Sequence, residues 1–443
     1  MTLPEYTFAA KKSKANDKIN SGIEYVNLDF WNDFGDEYLS DYIVQAVKNN
    51  YDLKNATLKT EEYKKFVSIS FGQELPHLTI GAQADWLRTP LVDIGAVKFA
   101  PRSTGLYSVP LLVSYEADIF LKNRGKTKAV KKAWEASKFA EQSAYISMVS
   151  AVATVYFNLV NTDELLRLQE EIVKLKKENL SLYTFRVEKG LSANNELNAV
   201  QQDYLRAVTE YNNLKQQQNT LSNKLSVLIG QSPEENVELK RSSINDLSYK
   251  KEIPETISSD VIFSRPDILQ VEAQLEKAKI DIKTARKELL PSFPLVGVLG
   301  FGTTEFSNIF SKDAFFATLG ANALQTVFAG GAKINNLKLK KIQYEEMLNS
   351  YHQADIVALQ EVNDALYGAK NAKSVLDDMN TQYTLEGDNF KYSNLKYEKG
   401  LYSQIDKNNA EIKFLMQQKG FSTAKSNLFI SYITLYKAVG AKI

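Results

Sequence analysis

Apolar and polar residues alternate with period two in four short stretches, and long runs of helical spacing separate them. In the first stretch Leu78, Ile80, Ala82, Ala84 and Trp86 alternate with Thr79, Gly81, Gln83 and Asp85. Its companion sets Tyr107, Val109, Leu111, Val113 and Tyr115 against Ser108, Pro110 and Ser114. The pattern returns less cleanly at Leu295, Gly297, Leu299 and Phe301, then at Phe315, Ala317, Leu319 and Ala321. Period two over about ten residues predicts strands over 75–88, 105–117, 291–303 and 314–327. The stretches 89–104 and 303–313, rich in Pro, Ser, Asn and Gly, read as loops between paired strands. Proline-free helical stretches over 122–188 and 333–398 follow, each roughly 100 Å long at 1.5 Å per residue. Both stop at Glu-Lys-Gly, where Gly190 and Gly400 suit the left-handed cap conformation. Ser192 and Ser403 then read as N-caps of return helices over 192–230 and 402–440, with Asp406 placed for a capping box. Leu197, Val200, Tyr204, Val208, Tyr211, Leu214, Leu221, Leu225 and Leu228 describe a coiled-coil seam on the first return helix.

The chain is a tandem repeat. Glu188-Lys189-Gly190-Leu191 recurs as Glu398-Lys399-Gly400-Leu401, and Leu205, Leu225 and Gly230 meet Leu415, Leu435 and Gly440 in the same frame. Asp52-Leu53 and Leu75-Pro76 recur as Asp267-Ile268 and Leu290-Pro291. A helix of roughly 22 residues opens each half and ends before its Leu-Pro, because a residue preceding proline is pushed out of helical geometry. This grammar divides the chain into an N-terminal segment with an equatorial helix (1–51), a first repeat (52–231), an equatorial linker (232–259) and a second repeat (260–443).

Helices this long pack side by side as an extended coiled coil, and a soluble coiled-coil scaffold is one reading of them. The strands separate the readings. Strands of about ten residues with an apolar face flanked by Trp86, Tyr107 and Tyr115 fit the height of a membrane β-barrel. In lipid no sheet edge stays open, and four strands cannot close around a lumen, so several copies must share one barrel. Composition narrows the chemistry further. With 54 Lys+Arg against 53 Asp+Glu the net charge is +1, which argues against nucleic acid as a partner. There is no cysteine, which excludes disulfides and thiolate catalysis, and the two histidines, His77 and His352, read as surface residues. No run of 18 or more apolar residues occurs, and Met1–Glu5 does not read as a signal peptide. Gly297, Gly300 and Gly302 look faintly like a dinucleotide loop, but they lie in a strand and no glycine follows at 305. No catalytic constellation, cofactor motif or metal-ligand spacing is found, so no enzyme activity is expected.

Arg265-Pro266-Asp267-Ile268, followed by Glu272, Leu275, Ala278, Ile282, Ala285-Arg286 and Leu290-Pro291, resembles the Arg-Pro-Asp helix of the TolC-like outer-membrane efflux factors. Trp31, Phe34, Asp36, Leu39, Ala46, Asn49, Asp52-Leu53 and Ala56 resemble that family's opening block, and Tyr115, Glu116, Asp118, Ile119 and Phe120 its first strand exit. Gln325, Phe328, Gly330 and Gly331 resemble the second exit, although Thr326 and Ala329 depart from the usual Pro and Asp.

The resemblance implies an α+β membrane protein: a homotrimer whose protomers each give four strands to a shared 12-stranded β-barrel, with long coiled-coil helices forming a periplasmic α-helical barrel. It implies a place in the outer membrane of a Gram-negative bacterium and passive conduction of substrates. A periplasmic adaptor protein and an inner-membrane efflux pump are the implied partners. The Arg-Pro-Asp motif favours pumps of the resistance-nodulation-division type over a type I protein-secretion system. Many relatives carry a lipidated N-terminal cysteine, which this sequence lacks. By the same resemblance the Glu-Lys-Gly turns form the periplasmic tip, and the constriction lies just beyond them. Tyr397 matches a tyrosine that ties neighbouring helices together, and Glu196 the acidic position it contacts. Ile405 matches an apolar ring and Asp406 an acidic ring. Asn409 stands at a second position that is usually aspartate, and Tyr402 at one that is arginine in some relatives.

Overall fold

A computed structural model of the chain describes residues 24–90, 92–93, 98–99, 102–233 and 239–442. Nine α-helices and seven strands are described: α1 Leu28–Asn32, α2 Glu37–Asn49, α3 Tyr51–Gly72, β1 His77–Ile80, β2 Gln83–Thr89, β3 Val92–Asp93, β4 Lys98–Phe99, β5 Arg102–Glu116, α4 Lys122–Glu188, α5 Asn194–Leu228, α6 Ser259–Phe263, α7 Pro266–Lys287, β6 Pro294–Thr303, β7 Phe315–Ala321, α8 Ala332–Glu398 and α9 Gln404–Ala438. They group into two units, each drawing on both repeats. One comprises Met1–Lys59, Lys138–Leu269 and Gln353–Ile443, the other Thr60–Ser137 and Gln270–His352.

In the second unit β1, β5, β6 and β7 lie in that order, all antiparallel, with β2 continuing β1 along the same edge of β5. The stretch expected as one strand over 75–88 is broken at Gly81 and Ala82, and Pro110 explains the break. Gly81 donates to the Pro110 carbonyl at 2.9 Å, but proline has no N–H to return the bond. On the other side of Pro110 stands Gly300, where a Cβ would lie 2.4 Å from the Val109 carbonyl oxygen. A proline in a central strand is tolerated here because glycines flank it on both sides. The loop expected over 89–104 carries a two-residue pairing, Val92 with Phe99 and Asp93 with Lys98. The last strand stops at Ala321 rather than near 327, and only an isolated bridge between Ser292 and Leu324 continues it.

Below the strands the helices of this unit run in the same order. Ser70 on α3 bonds Thr127 on α4 at 3.0 Å, and Asn336 on α8 donates to Glu288 beyond the end of α7 at 3.2 Å. Gly125 on α4 lets α7 approach so closely that a Cβ there would meet the Thr284 hydroxyl at 2.7 Å.

In the first unit α4 has different neighbours. It lies against α5, where Gln169 donates to the Ala207 carbonyl at 2.9 Å, and against α9, where Ser422 donates to Asn161 at 2.8 Å. All the seam positions expected on α5 are buried or half-buried. Helices α8 and α9 are joined by near-parallel rings: Phe390 on Phe414 at 5.7 Å, Phe414 on Tyr383 at 5.3 Å, and Tyr383 on Phe421 at 5.4 Å. Gly387 permits this spacing, since a Cβ there would stand 3.2 Å from the Phe414 ring.

One segment of α4 is apolar enough, by length and composition, to cross a membrane. Tyr145, Val149, Val152, Tyr156 and Phe157 make it core instead, packed with Phe30, Trp31, Phe34, Phe429 and Tyr436. Phe30 stacks on Tyr436 at 4.3 Å and Tyr249 on Tyr432 at 4.1 Å, each such pair adding about 0.5–1.5 kcal/mol beyond its burial. Asp36, fully sequestered, caps α2 through the Tyr38 and Leu39 N–H groups and accepts the Tyr156 hydroxyl. Burial, then the adjacent Asp36 carboxylate, push the Tyr156 hydroxyl pKa far up.

Candidate functional site

Two features bear on conduction: the faces of the sheet and the glycine turns that end α4 and α8. The register sorts the strand residues without ambiguity. Leu78 and Ile80 stand opposite Val113 and Leu111, which stand opposite Gly297 and Leu299, which stand opposite Leu319 and Ala317. From Trp86 and Tyr107 to Tyr115 and Leu295, this face presents apolar side chains, with polar atoms only in the tyrosine hydroxyls, the Trp86 indole N–H and the Thr303 hydroxyl opposite Tyr107. Leu78, Ile80, Trp86, Phe315 and Leu319 are 66, 74, 74, 55 and 87% exposed in the single chain, so water would face bare hydrocarbon there. The opposite face mixes Thr79, Gln83, Asp85, Ser108, Ser114 and Thr318 with Leu112, Val296, Val298 and glycines. Rings cluster at both ends of the apolar face. Tyr107 meets Phe306 at 5.3 Å and Phe301 meets Phe315 at 5.8 Å at one end, and Phe120 meets Phe293 at 6.1 Å at the other.

The tip turns form as their sequence requires. Gly190 and Gly400 have φ of 69° and 71°. Leu191 N–H reaches back to the Arg186 carbonyl at 2.8 Å, and Leu401 N–H to Lys396 at 2.8 Å, closing two equivalent C-terminal caps. Beyond Gly400, Ser403 caps α9 in a complete capping box. Asp406 Oδ2 accepts the Ser403 N–H at 2.9 Å and its hydroxyl at 2.6 Å, while Asp406 N–H donates to Ser403 Oγ at 3.2 Å. The Ser403 hydroxyl and N–H, with a smaller contribution from Arg186, hold the exposed Asp406 carboxyl below the usual aspartate range. Ser192 does not act as the equivalent cap. Its hydroxyl accepts Arg186 Nε at 3.1 Å, and α5 starts at Asn194 with Ala193 in the cap position.

Of the other residues expected at the constriction, Glu196 is exposed in the first turn of α5. The Tyr397 ring lies 5.1 Å beneath Lys407 Nζ. Within one chain these two make no hydrogen bond with each other. Ile405 is 8% exposed within its own chain. Asn409 is exposed but its Oδ1 accepts Asn179 Nδ2 at 3.0 Å. Here the structure adds what local pattern missed. Asn179 Oδ1 accepts Asn408 Nδ2 at 2.9 Å, and Gln404 donates to Asn408 Oδ1 at 2.9 Å, giving a buried amide layer between α4 and α9. The apolar seam gave no sign of it.

Arg265, the most specific residue of the sequence motif, is buried in the first unit. It makes a two-pronged pair with Asp267, at 3.0 and 2.7 Å, reaches Glu361 on α8 at 2.5 Å, and donates to the Ala438 carbonyl at the end of α9 at 2.8 Å. Despite partial burial, the guanidinium keeps the Asp267 carboxyl below its ordinary range. Among the described residues no cluster of His, Asp or Glu could hold a metal ion.

The family model described as outer membrane efflux protein matches residues 42–231 and 257–441. The solvent efflux pump outer membrane protein SrpC of Pseudomonas putida is 26% identical over 421 residues, covering 92% of this chain and 86% of SrpC. The cation efflux system protein CusC of Escherichia coli K12 is 23% identical over 436 residues, 96% of this chain and 91% of CusC. Among solved structures, the CmeC outer membrane channel of Campylobacter jejuni superposes with a TM-score of 0.86, at 24% identity, over 100% of this chain and 94% of that one. The open state of the Neisseria gonorrhoeae MtrE outer membrane channel gives 0.81 at 24% identity, over 93 and 91% of the two chains. With both repeats matched by the family model, and with the channels' fold shared along its length, the chain belongs to the outer membrane efflux protein family.

Proposed function

We propose that three copies of this chain close one twelve-stranded barrel and form the exit duct of a tripartite efflux system. The observation that carries this is a sheet open at both edges with one face that is apolar between its rims. A β1/β2 edge and a β7 edge cannot stand unpaired in lipid, where each free backbone group costs several kcal/mol. Counting β1 and β2 as one strand position, each copy brings an even number of positions. The β7 of one copy then pairs antiparallel with the β1/β2 of the next, and three copies of four positions close without a parallel joint. From Trp86 to Tyr115 the apolar face covers about ten strand residues, some 34 Å, or about 26 Å at a tilt near 40°. That matches the roughly 25 Å band of outer-membrane barrels.

The mixed face lines the lumen, and substrates pass without chemistry. A periplasmic adaptor and an inner-membrane pump deliver them; the matched relatives are named for solvent and cation efflux, and small solutes or ions are the corresponding class here. At the tip, three Asp406 carboxylates concentrate cations around a narrow opening, and Glu196 with Tyr397 of a neighbouring copy holds it shut. Detergent-extracted protein should size as a trimer and give discrete single-channel steps in a planar bilayer. A monomer in plain buffer with no affinity for detergent would overturn the reading.

A further inference from the structure

The net charge of +1 hides a local excess of cations where the helices of the second unit leave the strands. Between Lys122 and Lys132, α4 carries six lysines and arginines and no carboxylate, and the last turns of α7 hold Lys279, Lys283, Arg286 and Lys287.

These cations divide by the side they face. Glu116 belongs to the mixed face of β5, and Lys122 bonds it at 2.6 Å. One turn on, Lys126 pairs with Glu288 at 3.5 Å, so these residues mark the lumen side of the helix row, with its charges neutralised. At 100° per residue, Arg124, Lys128 and Lys131 lie roughly 140–200° round α4 from Lys126. Lys279, Lys283 and Arg286 lie as far round α7 from Glu288. All six are exposed and none has a carboxylate partner among the described residues. They therefore lie on the side continuous with the apolar strand face, just beyond the Phe120–Phe293 ring pair.

We propose that this outward collar is a binding surface for anionic phospholipid headgroups, phosphatidylglycerol and cardiolipin, of the leaflet that faces the periplasm. The inference rests on the apolar strand face being the lipid face. Passing down from the hydrocarbon, the order is apolar side chains, aromatic rings, Arg124 and Arg286, then Lys128 and Lys283, then Lys131 and Lys279. From Arg124 to Lys131 is about 10 Å along the helix. The headgroup layer is roughly 5–8 Å thick and the Debye length near 8 Å, so the collar spans the depth over which anionic headgroups attract cations. Long basic side chains reach up to such headgroups while their stems cover the helix surface. Lys132, on the side of α4 that meets α7, is paired with Glu135 and Glu276, but the six outward cations are left without a carboxylate, the arrangement expected if lipid supplies their anions.

Reconstitution in phosphatidylcholine vesicles, with spin-labelled phosphatidylglycerol or phosphatidylcholine as probe, tests it. The immobilised fraction should show a preference for phosphatidylglycerol of about fivefold at low salt, falling towards none at high salt. The variant K128Q/K131Q/K279Q/K283Q should lose the preference, whereas Lys126→Gln and the charge-conserving pair R124K/R286K should keep it. If the fourfold variant does not insert, K128Q/K283Q should show about half the loss. Equal immobilisation of the two lipids by the unaltered protein, or an unchanged preference in the outward variants, would overturn the inference. Protein that inserts and conducts with no preference refutes only the collar; protein that never inserts refutes the membrane reading beneath it.

Discussion

Arg265 offers the sharpest test of what the motif does. Its side chain is 7% exposed and satisfies three groups at once, the Asp267 carboxylate, the Glu361 carboxylate and the Ala438 carbonyl. In Arg265→Ala the two carboxylates, about half exposed, regain water, so the full 3–5 kcal/mol for breaking a buried pair is not expected. What remains is the orphaned carbonyl at the end of α9, at about 1–3 kcal/mol, and the lost packing of a buried stem. The expected destabilisation is about 3 kcal/mol. Arg265→Lys keeps the charge but cannot make the planar two-pronged pair, and should lose about half as much. Trp31 is a local reporter, buried and 4.9 Å from Tyr436 in the same unit. In a W86F/W134F background it is the only tryptophan, and its emission in a denaturant series gives the midpoint directly. A midpoint for Arg265→Ala within 0.5 kcal/mol of the parent would refute the account. Arg265→Lys matching the parent would refute the two-pronged part alone.

Three further outcomes follow from the geometry. Gly300→Val should prevent barrel assembly, because its Cβ would occupy the Val109 carbonyl; heat-modifiable migration on gels should vanish, and a normal barrel would show that β5 and β6 can separate there. Asp406→Asn should move the reversal potential in a salt gradient towards zero, while Ser403→Ala, which breaks the cap and keeps the charge, should not. Because Ser403 depresses the Asp406 pKa, the carboxylate's selectivity and its contribution to the cap persist above the ordinary aspartate value. Both fade only as pH falls through the lower folded value, so a loss beginning near pH 6 would contradict this. Tyr397→Phe with Glu196→Gln should raise single-channel conductance, and conductance at the parent value would remove both from the closed tip.

Much of the architecture was legible because the signals are local. Period two names the strands, and Glu-Lys-Gly needs only its own glycine to stop a helix. The capping box at Ser403 and Asp406 was equally local. The misses are long-range. Pro110 sits in a run that reads as one strand, but only its pairing with Gly81 and Gly300 shows why the neighbour breaks and why glycines flank it. Ser192 has the right residue type for a cap, yet Arg186 engages its hydroxyl. Ile405 is buried within its own chain by packing that the local pattern does not contain. Arg265 was conspicuous as a motif residue, but its grip on α8 and α9 joins positions 96 and 173 residues away.

The amide layer of Asn179, Asn408, Asn409 and Gln404 has a consequence for an organism whose periplasm follows the acidity and salinity outside. Amides neither gain nor lose protons over the physiological range, and the dipoles of the buried pair, Asn179 and Asn408, feel dissolved ions weakly. An ionic clasp at this seam would slacken in brine or acid; this one keeps the same grip in both. Acid and salt outside the cell leave these hydrogen bonds between α4 and α9 in place.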